Sequence, residues 1–338
     1  MRKMTSIFIM IVLMFIGYEI LTESESILNS VNFSLSIFKN NIFPSLFPFF
    51  VLSNILIKCG LPEFMGNLFK GAMNKIFKIK GITAFIFFMS IISGNPANAK
   101  YTRELYLENR IDKYEATKIL CFTCFSNPLF ILGTISLLFL NNKEVGMLIL
   151  VCHYIGNIFI GIGMRNYHPS KDEHNKVSFR QAINEMHKKR ISNKESFGEM
   201  ITNSLINSIN TLLLILGVIT SCLVITTIID NNLNLDSVLG SVLNGFIEMT
   251  QGLKYISLEA IPLKLKCVLT VMILSFGGLS VHMQIMSILS DTEIRYLPFL
   301  CARVCHAVIS SLFMYILFDF WMNLWWIKVS YIIIIGLF

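Results

Sequence analysis

Charge is what this chain has least of. Only 14% of its 338 residues are Asp, Glu, Lys or Arg, against about 25% in a soluble domain, and 54% are hydrophobic. That shortage excludes a water-soluble globular protein and points to a polytopic membrane protein. Acid is scarcer than base: 21 Asp and Glu stand against 28 Lys and Arg, a net charge of +7. The surplus fits cytoplasmic loops. It is not interleaved with aromatic residues, so nucleic acid is not an expected partner. His-Glu-x-x-His and Gly-x-Ser-x-Gly are absent, as is an intramembrane pair of aspartates, Asp230 and Asp236 falling in a turn. No enzyme chemistry is expected. Eight cysteines lie mostly in apolar runs, and Cys121-x-x-Cys124 and Cys301-x3-Cys305-His306 lack a second Cys/His pair to complete a zinc set. Neither metal nor cofactor is expected. No small-x-small cleavage site follows the first apolar run, residues 4–20, so a retained signal anchor is expected there.

Apolar runs organise what is present. Residues 42–59 read as a second span, with Pro44 and Pro48 predicting a kinked or partly unwound start. Residues 60–80 are amphipathic, with Lys70, Lys75, Lys78 and Lys80 against Glu63, as in an interfacial helix on the cytoplasmic side. Residues 82–93 are apolar or small but number only twelve, short of the about 20 that a crossing needs. They end in Ser93-Gly94-Asn95-Pro96-Ala97-Asn98-Ala99-Lys100, where Gly and Pro break a helix. Unwound backbone at membrane depth is tolerated only where protein buries it or it lines a watery cavity. The stretch therefore reads as the tip of a re-entrant hairpin. Residues 117–140 form a span interrupted at Ser126-Asn127-Pro128, and residues 145–164 return.

A basic hydrophilic stretch then holds Arg165, Lys171, Lys176, Arg180, Lys188, Lys189, Arg190 and Lys194 against Asp172, Glu173 and Glu185. It is placed in the cytoplasm by its charge. Residues 205–229 span again, and residues 237–254 are amphipathic. Residues 267–276 are apolar but too few to cross, and lead to Ser275-Phe276-Gly277-Gly278-Leu279-Ser280, a second expected tip. Residues 296–318 span, and residues 324–338 are short for a full crossing. The chain thus divides into an anchor (1–24), a first half (25–164, tip at 93–100), a linker (165–200), a second half (201–320, tip at 275–282) and a short membrane segment (321–338). The fold class expected is an all-α polytopic membrane protein. Its halves form an inverted repeat of spans, amphipathic helices and two re-entrant helical hairpins. In such a repeat the site lies near the midplane, where broken helices meet. Lys254, Lys264 and Lys266 fall on the external side in this arrangement.

Several stretches carry a family resemblance. They include Pro44-Ser45-Leu46-Phe47-Pro48-Phe49-Phe50-Val51, Ser93-Gly94-Asn95-Pro96-x-x-Ala99-Lys100 with Glu104-Leu105-Tyr106, Phe130-Ile131-Leu132-Gly133, and His153-Tyr154. In the second half they are Ile247-Glu248-Met249-Thr250-Gln251-Gly252-Leu253-Lys254 and Phe276-Gly277-Gly278-Leu279-Ser280-Val281-His282-Met283-Gln284. Together these resemble the YlbJ family of sporulation integral membrane proteins over about residues 40–320. The resemblance implies membership of the nucleoside-recognition, or Gate, group and an architecture similar to concentrative nucleoside transporters. It also implies a role in endospore formation in the mother-cell-derived membrane around the forespore, with dipicolinate as the associated solute. The family usually has Gly at the position of Asn98 and a more polar run at residues 122–126.

A flat aromatic dianion needs positive charge and backbone N–H donors, which half-helix N-termini supply. The substrate candidates are Asn95, Asn98, Lys100, Asn127, Gly277, Gly278, Ser280, His282 and Arg303, the last ionisable within a span. Glu248, Thr250 and Gln251 are candidates for a coupling cation or proton. The expected partners are a small anionic solute and the lipid bilayer, with oligomerisation left open. A nucleoside-type solute and a non-transporting scaffold or assembly factor of sporulation are the alternatives. His153 and His306 are expected to be buried hydrogen-bond partners.

Overall fold

The computed structural model describes residues 2–170, 178–233 and 237–335, with side chains from Lys3 to Leu324. Lys171, Asp172, Glu173, Lys176 and Asp236 lie outside the described residues. The fold is all helical, with no strand among the described residues. α1 (Arg2–Thr22) is followed by α2 (Ser24–Ile37), a π-helical turn (Phe38–Ile42) and α3 (Phe43–Lys58). The sequence suggested a span beginning at residue 42. Instead Ser24–Lys58 is one 35-residue apolar helix. Pro44 and Pro48 cannot donate to the helical ladder, and the winding loosens to the π form just before them. α4 (Leu61–Phe77) lies on the basic face.

Two helical hairpins follow in different parts of the chain, and one is not where the sequence suggested. α5 (Thr83–Ser93) and α6 (Ala97–Leu107) fold back on each other. Phe85 meets Tyr101 with ring centroids 5.5 Å apart, and Tyr101 Oη donates to Ser93 Oγ at 3.2 Å. α7 (Lys113–Phe122) continues past a break into a π-helix (Phe130–Phe139), and α8 (Lys143–Gly163) returns. α9 (Phe179–Ser192) turns half of the basic linker into a helix docked on α4, where Phe179 packs edge-on against Phe64. α10 (Phe197–Leu233) crosses back beside α2 and α3, through Asn54 to Ser208 and Ser34 to Thr220.

The second hairpin is α11 (Val238–Ile247) and α12 (Met249–Leu258), not residues 267–290. Ser241 Oγ donates to Glu259 Oε1 at 2.6 Å across its open end. A Cβ on Gly252 would lie 2.0 Å from Gly245 Cα, so the limbs cross backbone to backbone. α13 (Leu263–Phe276) and α14 (Gly278–Ile288) instead form one interrupted crossing, antiparallel to α15 (Tyr296–Ile335). Lys264 pairs with Asp319 at 2.5 Å, Ser311 donates to Val268 O at 3.5 Å, Ser275 O meets His306 and His282 meets Tyr296. The partner number falls steadily as residues 264–282 advance, which a hairpin at residues 275–282 could not do. The ten-residue apolar count misled because the break at Gly277 cuts a crossing in two. α15 likewise runs unbroken beyond residue 321, so no separate C-terminal segment begins there; residues 336–338 lie outside the described residues.

Each half therefore reads hairpin, broken span, span. The first starts from the face carrying Lys58–Glu195, Lys80–Glu115, Arg110–Glu63 and Lys189–Glu108. The second starts from the opposite face. The positive-inside rule leads one to expect the basic face toward the cytoplasm. On the other side Lys264 is paired with Asp319, Lys254 lies over the Phe33 ring and Lys266 donates to Ser257 O. Those three lysines are thus held by the protein. Hairpin limbs of 10 or 11 residues are about 15–17 Å long at 1.5 Å per residue, about half a hydrocarbon core of about 30 Å. Each limb is thus too short to cross such a core.

Candidate functional site

Both hairpin tips and both broken spans come together inside the protein. Gly94, at φ 76°, lies so close to the first break that a Cβ would be 2.6 Å from Asn127 N. Gly278, at φ 68°, lies so close to the second hairpin tip that a Cβ would be 2.9 Å from Met249 N. Each tip thus seats on the break of its own half, and both pairs border one small cavity of about 70 Å³. Asn95 comes from the first tip, Ser126 and Asn127 from the first break. Glu248 and Thr250 come from the second tip, Ser280 and Gln284 from α14. Ser45 and Leu46 of α3 and Ile215 and Ile219 of α10 close the sides.

The two tips differ in chemistry. Glu248 is buried and N-caps α12, accepting from Gln251 N at 2.8 Å, Thr250 Oγ1 at 3.3 Å and Ser280 Oγ at 3.4 Å. Asn127 Oδ1 caps the π-helix through Phe130 N at 2.7 Å. Neither amide atom of Asn95 has a hydrogen-bond partner. A buried unpartnered amide is expensive, and this one borders the cavity.

Behind the cavity sits a buried polar brace. Arg303 has no exposed surface. Its Nη1 donates to Cys124 O at 3.4 Å, Ser275 O at 3.5 Å and His306 Nδ1 at 2.9 Å. Its Nη2 donates to Cys121 O and to Asn157 Oδ1, the latter at 3.0 Å. These carbonyls are the C-terminal ends of α7 and α13, the negative poles of two half-helices. One guanidinium therefore caps the broken span of each half. His306 Nε2 donates to His153 O at 2.8 Å, while His153 Nε2 accepts from Ser126 N at 3.0 Å. Each ring thus keeps one acceptor nitrogen, and both histidines are neutral hydrogen-bond partners. Tyr154 Oη ties the break to the first hairpin through Ile91 O at 2.8 Å.

Of the residues expected from the sequence, the structure brings Asn95, Asn127, Glu248, Thr250 and Ser280 to the cavity. Gln251, Gly277 and Gly278 are not among the residues that line it. His282 bridges Tyr296 Oη and Phe276 O, each at 3.0 Å. Asn98 is fully buried without a side-chain partner, and Lys100 Nζ, also unpartnered, lies 5.4 Å from the Phe50 ring centroid. Neither Asn98, Lys100, His282 nor Arg303 lines the cavity. Sequence reasoning missed Gln284, one helical turn beyond Ser280, and Ser45, beside Pro44; the turn spacing was the available signal for the first.

Spans, hairpins and a central cavity define an all-α polytopic membrane protein with, among the described residues, six helices long and apolar enough to cross. Over 94% of its length it is 31% identical to the sporulation integral membrane protein YlbJ of Bacillus subtilis (strain 168), covering 84% of that protein. The chain belongs to the YlbJ family of sporulation integral membrane proteins. No protein-family profile and no solved structure matches it.

Proposed function

We propose that the chain is an alternating-access transporter of a small planar solute, dipicolinate, in the membrane around the forespore. The observation that carries this reading is the meeting of both hairpin tips and both broken spans at one cavity. Broken helices at the midplane are how transporters present backbone groups to a solute. The π-helix, α6, α12 and α14 all begin there, and helix N-termini attract anions. Asn95 supplies an amide with no partner of its own. Glu248 would repel an anion unless a proton or cation neutralised it, which makes it the coupling group of this mechanism. The arrangement parallels that expected of a nucleoside transporter. One observation favours a neutral nucleoside-type solute as the second reading: among the described residues, no cationic side chain lines the cavity.

The test is uptake of labelled dipicolinate into proteoliposomes, with uridine as competitor. Dipicolinate flux that falls at least tenfold in Asn95→Ala and Glu248→Gln supports the first reading. Uridine flux without dipicolinate flux supports the second. Well-folded protein that moves neither solute leaves the scaffold role.

A further inference from the structure

A second cavity lies on the external side of the second hairpin. It measures about 470 Å³ and is lined by Asp230 of α10, Ser241 and Asn244 of α11, and Tyr255 and Glu259 of and beyond α12. Its polar atoms are oxygen-rich and carry two carboxylates. Ser241 Oγ donates to Glu259 Oε1 at 2.6 Å, and Asn244 Nδ2 donates to Asp230 Oδ1 at 2.8 Å. Ser241 and Asn244 are three apart on one helix, so they hold the two acids against the same face of α11.

Asn244 adds an independent sign of a ligand. It is 2% exposed, and its Oδ1 has no partner. Turning the amide over would not cure this, since Nδ2 is needed by both Asp230 and Gly240 O, the latter at 3.2 Å. An amide oxygen is a ligand for hard cations.

We propose that this cavity is a binding site for a divalent, oxygen-ligated cation, held by Asp230, Glu259 and Asn244 Oδ1. Two carboxylates match the charge of such an ion, and the uncharged oxygens of Ser241 and Asn244 complete a mixed set that tolerates calcium-type geometry better than the strict octahedron of magnesium. A stripe on α12 joins the site to the central cavity. Tyr255 Oη accepts from Gln251 Nε2 at 2.6 Å, and Gln251 N donates to Glu248 Oε2 at 2.8 Å. The bound cation therefore sits at the outer end of the same hairpin whose tip carries Glu248. The site stands apart from the transport reading, because binding is measured without flux.

The experiment uses the full chain purified in detergent. Terbium emission sensitised by Tyr255 is titrated, then competed with Ca²⁺, Mg²⁺ and Na⁺. The expected result is one saturable site displaced by Ca²⁺ more readily than by Mg²⁺, and by Na⁺ only through ionic strength. Asp230→Asn and Glu259→Gln should each weaken Ca²⁺ binding at least tenfold. Asn244→Leu should weaken it too, while Glu185→Gln on the opposite face should not. Melting without cation shows whether each variant folds, and the near-isosteric Asn and Gln changes keep the test alive if Asn244→Leu does not. Binding that survives the Asp230→Asn, Glu259→Gln double change, or absence of saturable Ca²⁺ binding in the wild type, would overturn the proposal.

Discussion

Replacing Arg303 removes one group on which both halves of the protein depend. In Arg303→Met the side chain keeps its bulk and loses all its donors. Five acceptors then go without it: the carbonyls of Cys121, Cys124 and Ser275, Asn157 Oδ1 and His306 Nδ1. Hydrogen bonds between membrane helices average about 0.6 kcal/mol, so five give about 3 kcal/mol. The bonds to His306 and Asn157 are shorter than those to Cys124 and Ser275, and charge-assisted bonds run at about 1.5–3 kcal/mol. The expected loss is about 3–5 kcal/mol. Asn157 can still hold Cys124 O through Nδ2 at 2.9 Å, so the first break should suffer less than the second. Arg303→Lys keeps the charge but has three donors on a point cation rather than five on a fork, and should fall between. The assay is thermal unfolding in detergent without any solute. A methionine variant that melts with the wild type would refute the brace, because no cluster of five buried acceptors can lose its donor freely.

Three further outcomes follow from the same geometry. In a background lacking native cysteines, single cysteines at Lys264 and Ser290 should label from opposite sides of the membrane, because α13 and α14 make one crossing; labelling from the same side would restore a hairpin at residues 275–282. Gly252→Ala should destabilise by about 1–3 kcal/mol through overpacking, since the clash is with backbone of Gly245, whereas Gly71→Ala, with open space, should not; equal melting temperatures would refute the limb crossing. Arg103 holds the Asp291 carboxyl below its ordinary range. A depressed carboxylate stabilises above its unfolded value of about 3.9 and loses that contribution as pH falls through its folded value. The stability gap between wild type and Asp291→Asn should therefore be small but present at pH 7, close in strong acid and shrink with salt; a gap independent of pH would refute it.

Much of this architecture is legible in the residues, and the displacement of the second hairpin has a physical cause. The hairpin at Gly94 announces itself because helix breakers, Gly and Pro, interrupt an apolar run, and a charged limb follows. The hairpin at Glu248 has no such marker. Its tip, Ile247-Glu248-Met249, is made by one carboxylate that caps the returning limb, and an acid in an amphipathic stretch looks the same as a solvated one. Gly277-Gly278 carries the stronger breaker, but a break and a tip have the same composition. Only the direction of the following limb separates them, and that is set by which neighbour it packs on. The cavity members Asn95, Asn127 and Ser280 could be read from their places at interruptions. Arg303 could be read as a buried cation, yet not as a brace, because its acceptors are backbone carbonyls that any sequence supplies.

Once the second hairpin is moved, the repeat becomes stricter. Residues 83–163 and the stretch from residue 238 through α15 now share one order of elements: hairpin, broken span, span. The halves nonetheless carry unlike chemistry at equivalent points. The first tip offers unpaired amide groups on Asn95, while the second offers a carboxylate already engaged by three donors. Satisfied groups hold a shape, and unsatisfied groups await a partner. On the transport reading this divides the labour, with the first half meeting the solute and the second setting the charge of the site. Arg303 then explains how the two stay in step. It belongs to the last span of the second half but caps the broken helix of the first, so neither break can shift its carbonyls without loading the other.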